Sequence, residues 1–406
     1  MPNKSSPSRH IDRADGGDAD LLDHLAQLRK PLAGDVPLAD IITPLVQEGV
    51  LYEKLVDSAV HCFACGHNCL IKTGARGICQ VRYNLDGKLY VPWGYVAALQ
   101  SDPTEKKPFS HVYPGSDTLT FGMLGCDIHC SYCQNWDISQ ALRDSEAGRP
   151  PSMATPQELV ALAKRSGVKC VASSYNEPLI TSEWAQAIFK EAKAAGLTCM
   201  YVSNGNATRE VLEYIRPTTD VYKIDLKTMS DRNYRQLGAV LENVLNGVRM
   251  VHEMGFWLEI VTLIIPGFNS SDTELREAAQ FIKSISPDIP WHVTAFHKDY
   301  RMLDPDNTDA RMLIHAAEIG YEEGLRYVYA GNLPGRVGHF ENTRCPACQK
   351  TLIRRLGYIV LEYHLTPSGT CPDCQTPIAG LWPKSAQDVR LGSESDLFFR
   401  MPRSVR

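Results

Sequence analysis

From about residue 117 to residue 329, apolar runs alternate with amphipathic stretches, and this alternation limits the possible folds more than any other property of the chain. Strand-like runs cover 118–124, 170–175, 198–202, 221–226, 257–264, 291–296 and 326–329. Helical periodicity covers 156–166, 182–195, 208–215, 231–253, 272–285 and 308–323. Strands joined through helices of this length build βαβ units and hence a parallel sheet. Seven strands with no clear eighth predict an α/β fold in the form of an incomplete, open (β/α) barrel. Chemistry in such barrels collects at the carboxyl ends of the strands. The unusual polar residues fall there: Cys126 after the first strand, Asn176 and Glu177 after the second, and Ser203-Asn204-Gly205 after the third. Asp225 and Lys227 close the fourth, Pro266-Gly267 follows the fifth, and His297 follows the sixth.

The remaining organisation is read from composition. With 406 residues, 44% of them hydrophobic, the chain can bury a sizeable core in one main domain with attachments. A net charge of −5 argues against a general nucleic-acid or anionic-membrane surface. No segment approaches the roughly 18 apolar residues of a membrane span. The start, Met-Pro-Asn-Lys-Ser-Ser-Pro-Ser, has no apolar signal core, so a cytoplasmic location is expected. A polar stretch without periodicity predicts a disordered tail over 1–35. An N-terminal cysteine-rich segment over 36–116, the barrel over 117–338 and a C-terminal module and tail over 339–406 follow it.

Thirteen cysteines in a chain expected to stay in the cytoplasm read as metal ligands and not as disulfides. Eleven fall into three groups, while Cys170 and Cys199 open apolar runs and read as small core residues. Cys126, Cys130 and Cys133 have the spacing C-x3-C-x2-C, with Tyr132 before the last. An iron–sulfur cube has four irons, normally bound by four thiolates, so three leave one iron open to a small molecule. A zinc knuckle is the competing reading, but it prefers two C-x2-C pairs and only one is present. Cys62, Cys65, Cys69 and Cys79 surround Gly74 and Gly77. Four thiolates saturate either zinc or a complete auxiliary cluster, and the compact knuckle favours zinc. Cys345, Cys348, Cys371 and Cys374 form two C-x2-C pairs, which predict one structural metal, zinc or iron, with a strand or hairpin over 352–361 between them.

The three-cysteine run resembles the radical S-adenosylmethionine (SAM) superfamily. That resemblance implies a [4Fe–4S] cluster on Cys126, Cys130 and Cys133 whose open iron chelates SAM, and a 5′-deoxyadenosyl radical as product. The strand ends resemble the activating enzymes of glycyl-radical enzymes. There Ser174-Tyr175-Asn176-Glu177-Pro178 stands for a Gly-Gly-Glu-Pro-like turn, with Tyr-Asn in place of Gly-Gly. By this likeness Glu177 meets the SAM amino group, Lys227 of Asp225-Leu226-Lys227 its carboxylate, and His297 the ribose. Asn204 belongs to a Thr-Asn-Gly-like turn, and Tyr132 lies beside adenine. Structural readings compete: Asn204-Gly205 as a turn, Asp225 and Lys227 as an ion pair, and His297 as a satisfied loop histidine. A closer resemblance, carried by 102–108, 113–116, 133–140 and 174–178, is to the radical-SAM member of the AmmeMemoRadiSam system. It implies an electron donor such as flavodoxin or ferredoxin, Memo-type and AMMECR-type proteins as partners, and a protein as possible substrate. A true glycyl-radical activase, or a catalytically inactive zinc-ribbon binding protein, are the alternatives. The two cysteine-rich modules are expected to cover the open side of the barrel.

Overall fold

β-Branched and aromatic residues pack well on a pleated, buried surface, and the runs rich in them become strands of one sheet. The computed structural model describes residues 38–398 and 403–404. The tail expected over 1–35 lies outside the described residues. The strands are β1 (Ala98–Pro103), β2 (Asp117–Gly122), β3 (Cys170–Ser173), β4 (Thr198–Ser203), β5 (Val221–Asp225), β6 (Trp257–Ile264), β7 (Trp291–Ala295) and β8 (Val328–Gly331). From β2 to β8 they pair in chain order and in parallel. β8 ends one edge of the sheet. The incomplete, open barrel expected from the alternation is therefore the fold. The other edge holds a difference from the sequence reading. β1, which sequence assigned to the segment ahead of the barrel, pairs antiparallel with β2, and Arg403–Ser404 pairs beyond it. The polar run Gln100-Ser101-Asp102 hides β1 from an apolar pattern search.

Local signals set the helix boundaries. Pro156–Arg165 starts with a Thr155–Glu158 capping box and a proline in its first turn. The single helix expected over 231–253 is two, Asp231–Gln236 and Leu241–Glu253. The break falls at Gly238, whose φ is +86°. A Cβ there would lie 2.3 Å from His129 Cε1. Leu237 O accepts a 2.9 Å hydrogen bond from His129 N. The break thus seats the chain against the loop carrying Cys126, Cys130 and Cys133. Periodicity misses it because Leu237 and Val240 continue the apolar pattern across the gap.

The two cysteine-rich segments are pinned to the barrel by buried charge. Arg82, 1% exposed, donates to both Glu183 oxygens at 2.7 and 2.8 Å and to Ile180 O. That fixes the N-terminal knuckle to helix Ser182–Ala194. At the other end, the strands Thr351–Leu356 and Ile359–Tyr363 pair as the expected hairpin. Leu352, Ile353 and Val360 pack with Tyr327 and Tyr329 beside β8. Arg355, also buried, donates to Thr343 Oγ1 at 2.8 Å and to Ser110 O at 2.7 Å. One guanidinium thus ties the last strand's side of the barrel to the segment preceding β2.

A polar network plugs the amino-terminal end of the barrel, opposite the predicted site. Glu259, near the start of β6, accepts from Ser110 N, His111 N, Trp257 Nε1 and the His292 ring. His111 holds Ala379 O and Tyr329 Oη, each at 2.6 Å. Burial pushes the His111 imidazole down to about 4, so it is neutral in the fold. The unfolded chain takes up that proton more readily. Stability from this group is therefore complete above pH ~6.5 and is lost as pH falls towards about 4, roughly 3 kcal/mol in all. Urea midpoints measured from pH 7 to 4 should fall less steeply for His111→Gln than for the parent chain. Identical slopes would remove His111 from the acid response.

Candidate active site and metal centres

The carboxyl ends of the strands enclose a cavity of about 350 Å³. Cys126, Cys130 and Cys133 line it from the loop after β2. Ser139 Oγ, in the short helix Trp136–Ser139, lies 3.2 Å from Cys133 Sγ. The Cys126 thiol is 3.7 Å from Asp127 Oδ1. Asp127 is wholly buried and accepts from Asn204 Nδ2 at 2.7 Å and Asn206 Nδ2 at 2.8 Å. The loop is thereby locked to the end of β4. The donor set fits a cluster: three thiols from one loop open into one cavity, without the mutual closeness that a single ion imposes.

The residues expected to contact SAM gather in that cavity, with one departure; Gly205 and Pro266-Gly267 do not line it. Asn176 accepts from Met123 N at 2.9 Å and fixes the turn that presents Glu177. Tyr175, in the same turn, has a φ of +72°, a left-handed conformation disfavoured for a side chain of its size. Glu177, 2% exposed, accepts from Ser203 Oγ and Asn204 N, each at 2.7 Å, and from Leu179 N at 3.1 Å. Burial, and next Asp127, push its carboxyl up to about 8. An ammonium arriving in the cavity would supply the countercharge that ionises it. Asp225 lies between Lys223 and Lys227, with the Lys227 ammonium at 3.5 Å. Burial opposes the Lys227 charge, but Asp225 and the Cys130 thiol outweigh it and hold the ammonium well protonated. Tyr132 is buried, with its ring 5.9 Å from that of Phe268. His297 is the departure. Its side chain is about half exposed, contacts Lys298 O and Asp299, and does not line the cavity.

Several lining residues escaped sequence reasoning. Lys107 donates to Asp102 at 2.6 Å and to Tyr175 Oη at 3.1 Å. Burial pushes it down to about 8, with Asp102 opposing. The run 102–108 carried the family resemblance, but nothing in its spacing pointed into the cavity. Asn332 and Tyr358 also line it, joined by a 3.3 Å hydrogen bond. Tyr358 sits at the tip of the C-terminal hairpin, so that module reaches the site.

The C-terminal cysteines form a different kind of site. Cys345 and Cys374 Sγ are 3.4 Å apart, and Cys348 and Cys371 Sγ 3.6 Å. All four lie within 4.8 Å of one another, and among the described residues no other group of His, Cys, Asp or Glu does so. A tetrahedral ion with metal–sulfur bonds near 2.3 Å places thiolates about 3.8 Å apart. The site fits one metal ion. Of the N-terminal four, Cys62, Cys65 and Cys79 are buried. Burial, then Asp127 and the Cys62 and Cys79 thiols, raise the Cys65 thiol.

Residues 121–282 match the profile of the radical SAM superfamily. An uncharacterized protein of Methanocaldococcus jannaschii is 36% identical over 312 residues, 76% of this chain and 92% of that protein. The pyruvate formate-lyase-activating enzyme of Staphylococcus epidermidis is 26% identical over 200 residues, 46% of this chain and 78% of that enzyme. Among solved structures, a radical SAM methyltransferase from Sphaerobacter thermophilus aligns with a TM-score of 0.42 at 15% identity, covering 54% of this chain and 68% of that one. No helix among the described residues is long and apolar enough to cross a membrane.

The C-terminal geometry predicts one bound metal ion per module. Cys371→Ser should release it and lower the thermal midpoint, because binding at a structural site adds directly to folding free energy. Elemental analysis alongside thermal unfolding checks this. An unchanged metal content and midpoint would contradict it.

Proposed function

The chain belongs to the radical SAM superfamily, and on that premise we propose that it cleaves SAM reductively and abstracts hydrogen from a substrate held in the same cavity. The observation that carries this reading is the convergence of Cys126, Cys130 and Cys133 with Glu177, Asn204, Asp225 and Lys227 on one cavity. In this reading the three cysteines hold a [4Fe–4S] cluster. When bound, the cluster supplies the electron that breaks a carbon–sulfur bond of SAM and yields a 5′-deoxyadenosyl radical.

The chain's own groups bind and orient. Lys227, kept charged by Asp225, receives the SAM carboxylate, and Glu177 receives the ammonium. Asn204 holds Glu177 through its backbone N–H and Asp127 through its side chain, so both ends of the site share one brace. Tyr132 offers an apolar face to adenine. His297 is not carried into the SAM site, because its side chain does not line the cavity. Tyr358 and Asn332 help exclude water from a radical that attacks almost any nearby C–H bond.

The runs 102–108, 113–116, 133–140 and 174–178 support placing the chain with the radical-SAM member of the AmmeMemoRadiSam system. Memo-type and AMMECR-type partners and a flavodoxin- or ferredoxin-type electron donor belong to that proposal. So do a protein substrate and zinc at the C-terminal cysteines. A glycyl-radical activase is the second reading, favoured by the likeness to pyruvate formate-lyase-activating enzymes over nearly half the chain.

Replacing Cys126, Cys130 and Cys133 together by Ala should abolish 5′-deoxyadenosine formation by anaerobically reduced protein. Persistence of that product would sink the assignment. Lys227→Met should weaken SAM binding by roughly 2–5 kcal/mol, the cost of leaving a partly desolvated charge without its partner. Equilibrium binding to the cluster-loaded variant decides, and unchanged affinity would return Lys227 to a purely structural ion pair with Asp225.

A further inference from the structure

We propose that Cys62, Cys65, Cys69 and Cys79 hold a second iron–sulfur cluster of the four-iron type, and not a single zinc ion. Compactness in sequence favours zinc, but the four thiols do not gather within 4.8 Å of one another as the C-terminal four do. One chain carries both kinds of cysteine site, and each calibrates the other. The C-terminal four have Sγ pairs at 3.4 and 3.6 Å, as a single tetrahedral ion requires. In a cube every thiolate binds its own iron, so sulfurs stand about 6 Å apart. The N-terminal thiols, like Cys126, Cys130 and Cys133, do not close to within 4.8 Å of one another.

They converge all the same. Cys62 and Cys69 are register partners across the paired strands Val60–Cys62 and Cys69–Ile71. Cys65 and Cys79 share one apolar cluster with Val81 and Ile180. A Cβ at Gly77 would lie 3.7 Å from Cys69 Sγ, so the turn closes over that thiol. Cys62, Cys65 and Cys79 are 6–7% exposed, whereas Cys348 and Cys374 of the C-terminal site face solvent. Three buried thiols and a partly buried Cys69, less closely gathered than the C-terminal four, suit a cluster protected from water.

Its position would set the second cluster beside the first. Gly66 N donates to Asn206 O at 2.8 Å, and the His67 ring holds Asp127 O at 3.0 Å. Asp127 directly follows Cys126. At Gly125, just before Cys126, a Cβ would lie 2.6 Å from Val81 Cγ1, so the knuckle and the loop touch. The two sets of thiols belong to segments in direct contact.

The test is read on the full chain carrying Cys126→Ala, Cys130→Ala and Cys133→Ala, so failure of the SAM reading and failure of this one are separate results. After anaerobic reconstitution with iron and sulfide, this variant should retain about four irons and about four sulfides per chain, plus a paramagnetic signal on dithionite reduction. Further replacement of Cys65 and Cys79 by Ser should remove the iron, the sulfide and the signal together. A variant free of iron, with either about two zinc ions per chain or only the C-terminal ion, would overturn the proposal. If the triple variant does not fold, the intact chain decides. About eight irons with two distinguishable reduced signals is the expected result, and about four irons with two zinc ions overturns the proposal.

Discussion

A buried carboxylate without a cation beside it is costly unless every lone pair finds a donor, and the active-site half of this molecule is arranged around one. Asp127 is 0% exposed and is met by the side-chain amides of Asn204 and Asn206. Its own carbonyl meets the His67 ring from the N-terminal knuckle. Asn204 N in turn meets Glu177. One acid thus ties together the cysteine loop, the end of β4, the turn after β3 and the knuckle. An asparagine in its place would set amide against amide and release the loop that carries Cys126, Cys130 and Cys133.

The barrel divides its work between its ends. At the amino-terminal end, Glu259, His292, His111 and Tyr329 build a closed hydrogen-bonded plug that needs no solvent. At the carboxyl end, Lys107 and Lys223 are closely paired with Asp102 and Asp225, whereas Lys227 and Glu177 are left for a charged ligand. Lys227 is held charged yet lies 3.5 Å from its acid, and Glu177 is pushed towards the neutral form in the absence of a cation. The C-terminal hairpin joins the two halves. Its base shares a core with Tyr327 and Tyr329, and its tip places Tyr358 in the cavity.

The parallel sheet was legible because its strands are short, apolar and separated by helices of regular period. The cysteine groups were legible from spacing alone, and the strand-end polar residues from their common place in the alternation. What sequence missed depends on three-dimensional closeness. β1 carries too many polar residues to read as a strand until β2 lies beside it. The helix break at Gly238 is dictated by His129, more than a hundred residues earlier. Lys107 and Tyr358 reach the cavity from segments far apart in the chain. His297 fits the strand-end pattern, yet its half-exposed side chain does not line the cavity. No periodicity records that difference.

The central claim is that one iron of the Cys126–Cys130–Cys133 cluster is open and takes SAM by its amino-acid end, guided by Glu177 and Lys227. Electron–nuclear double resonance on the reduced protein tests it most directly, using SAM labelled with ¹⁵N at the amino group and ¹³C at the carboxylate. The account predicts hyperfine coupling of both nuclei to the cluster in the intact chain. A well-formed reduced cluster showing no coupling to either label, at SAM concentrations that saturate binding, would contradict it.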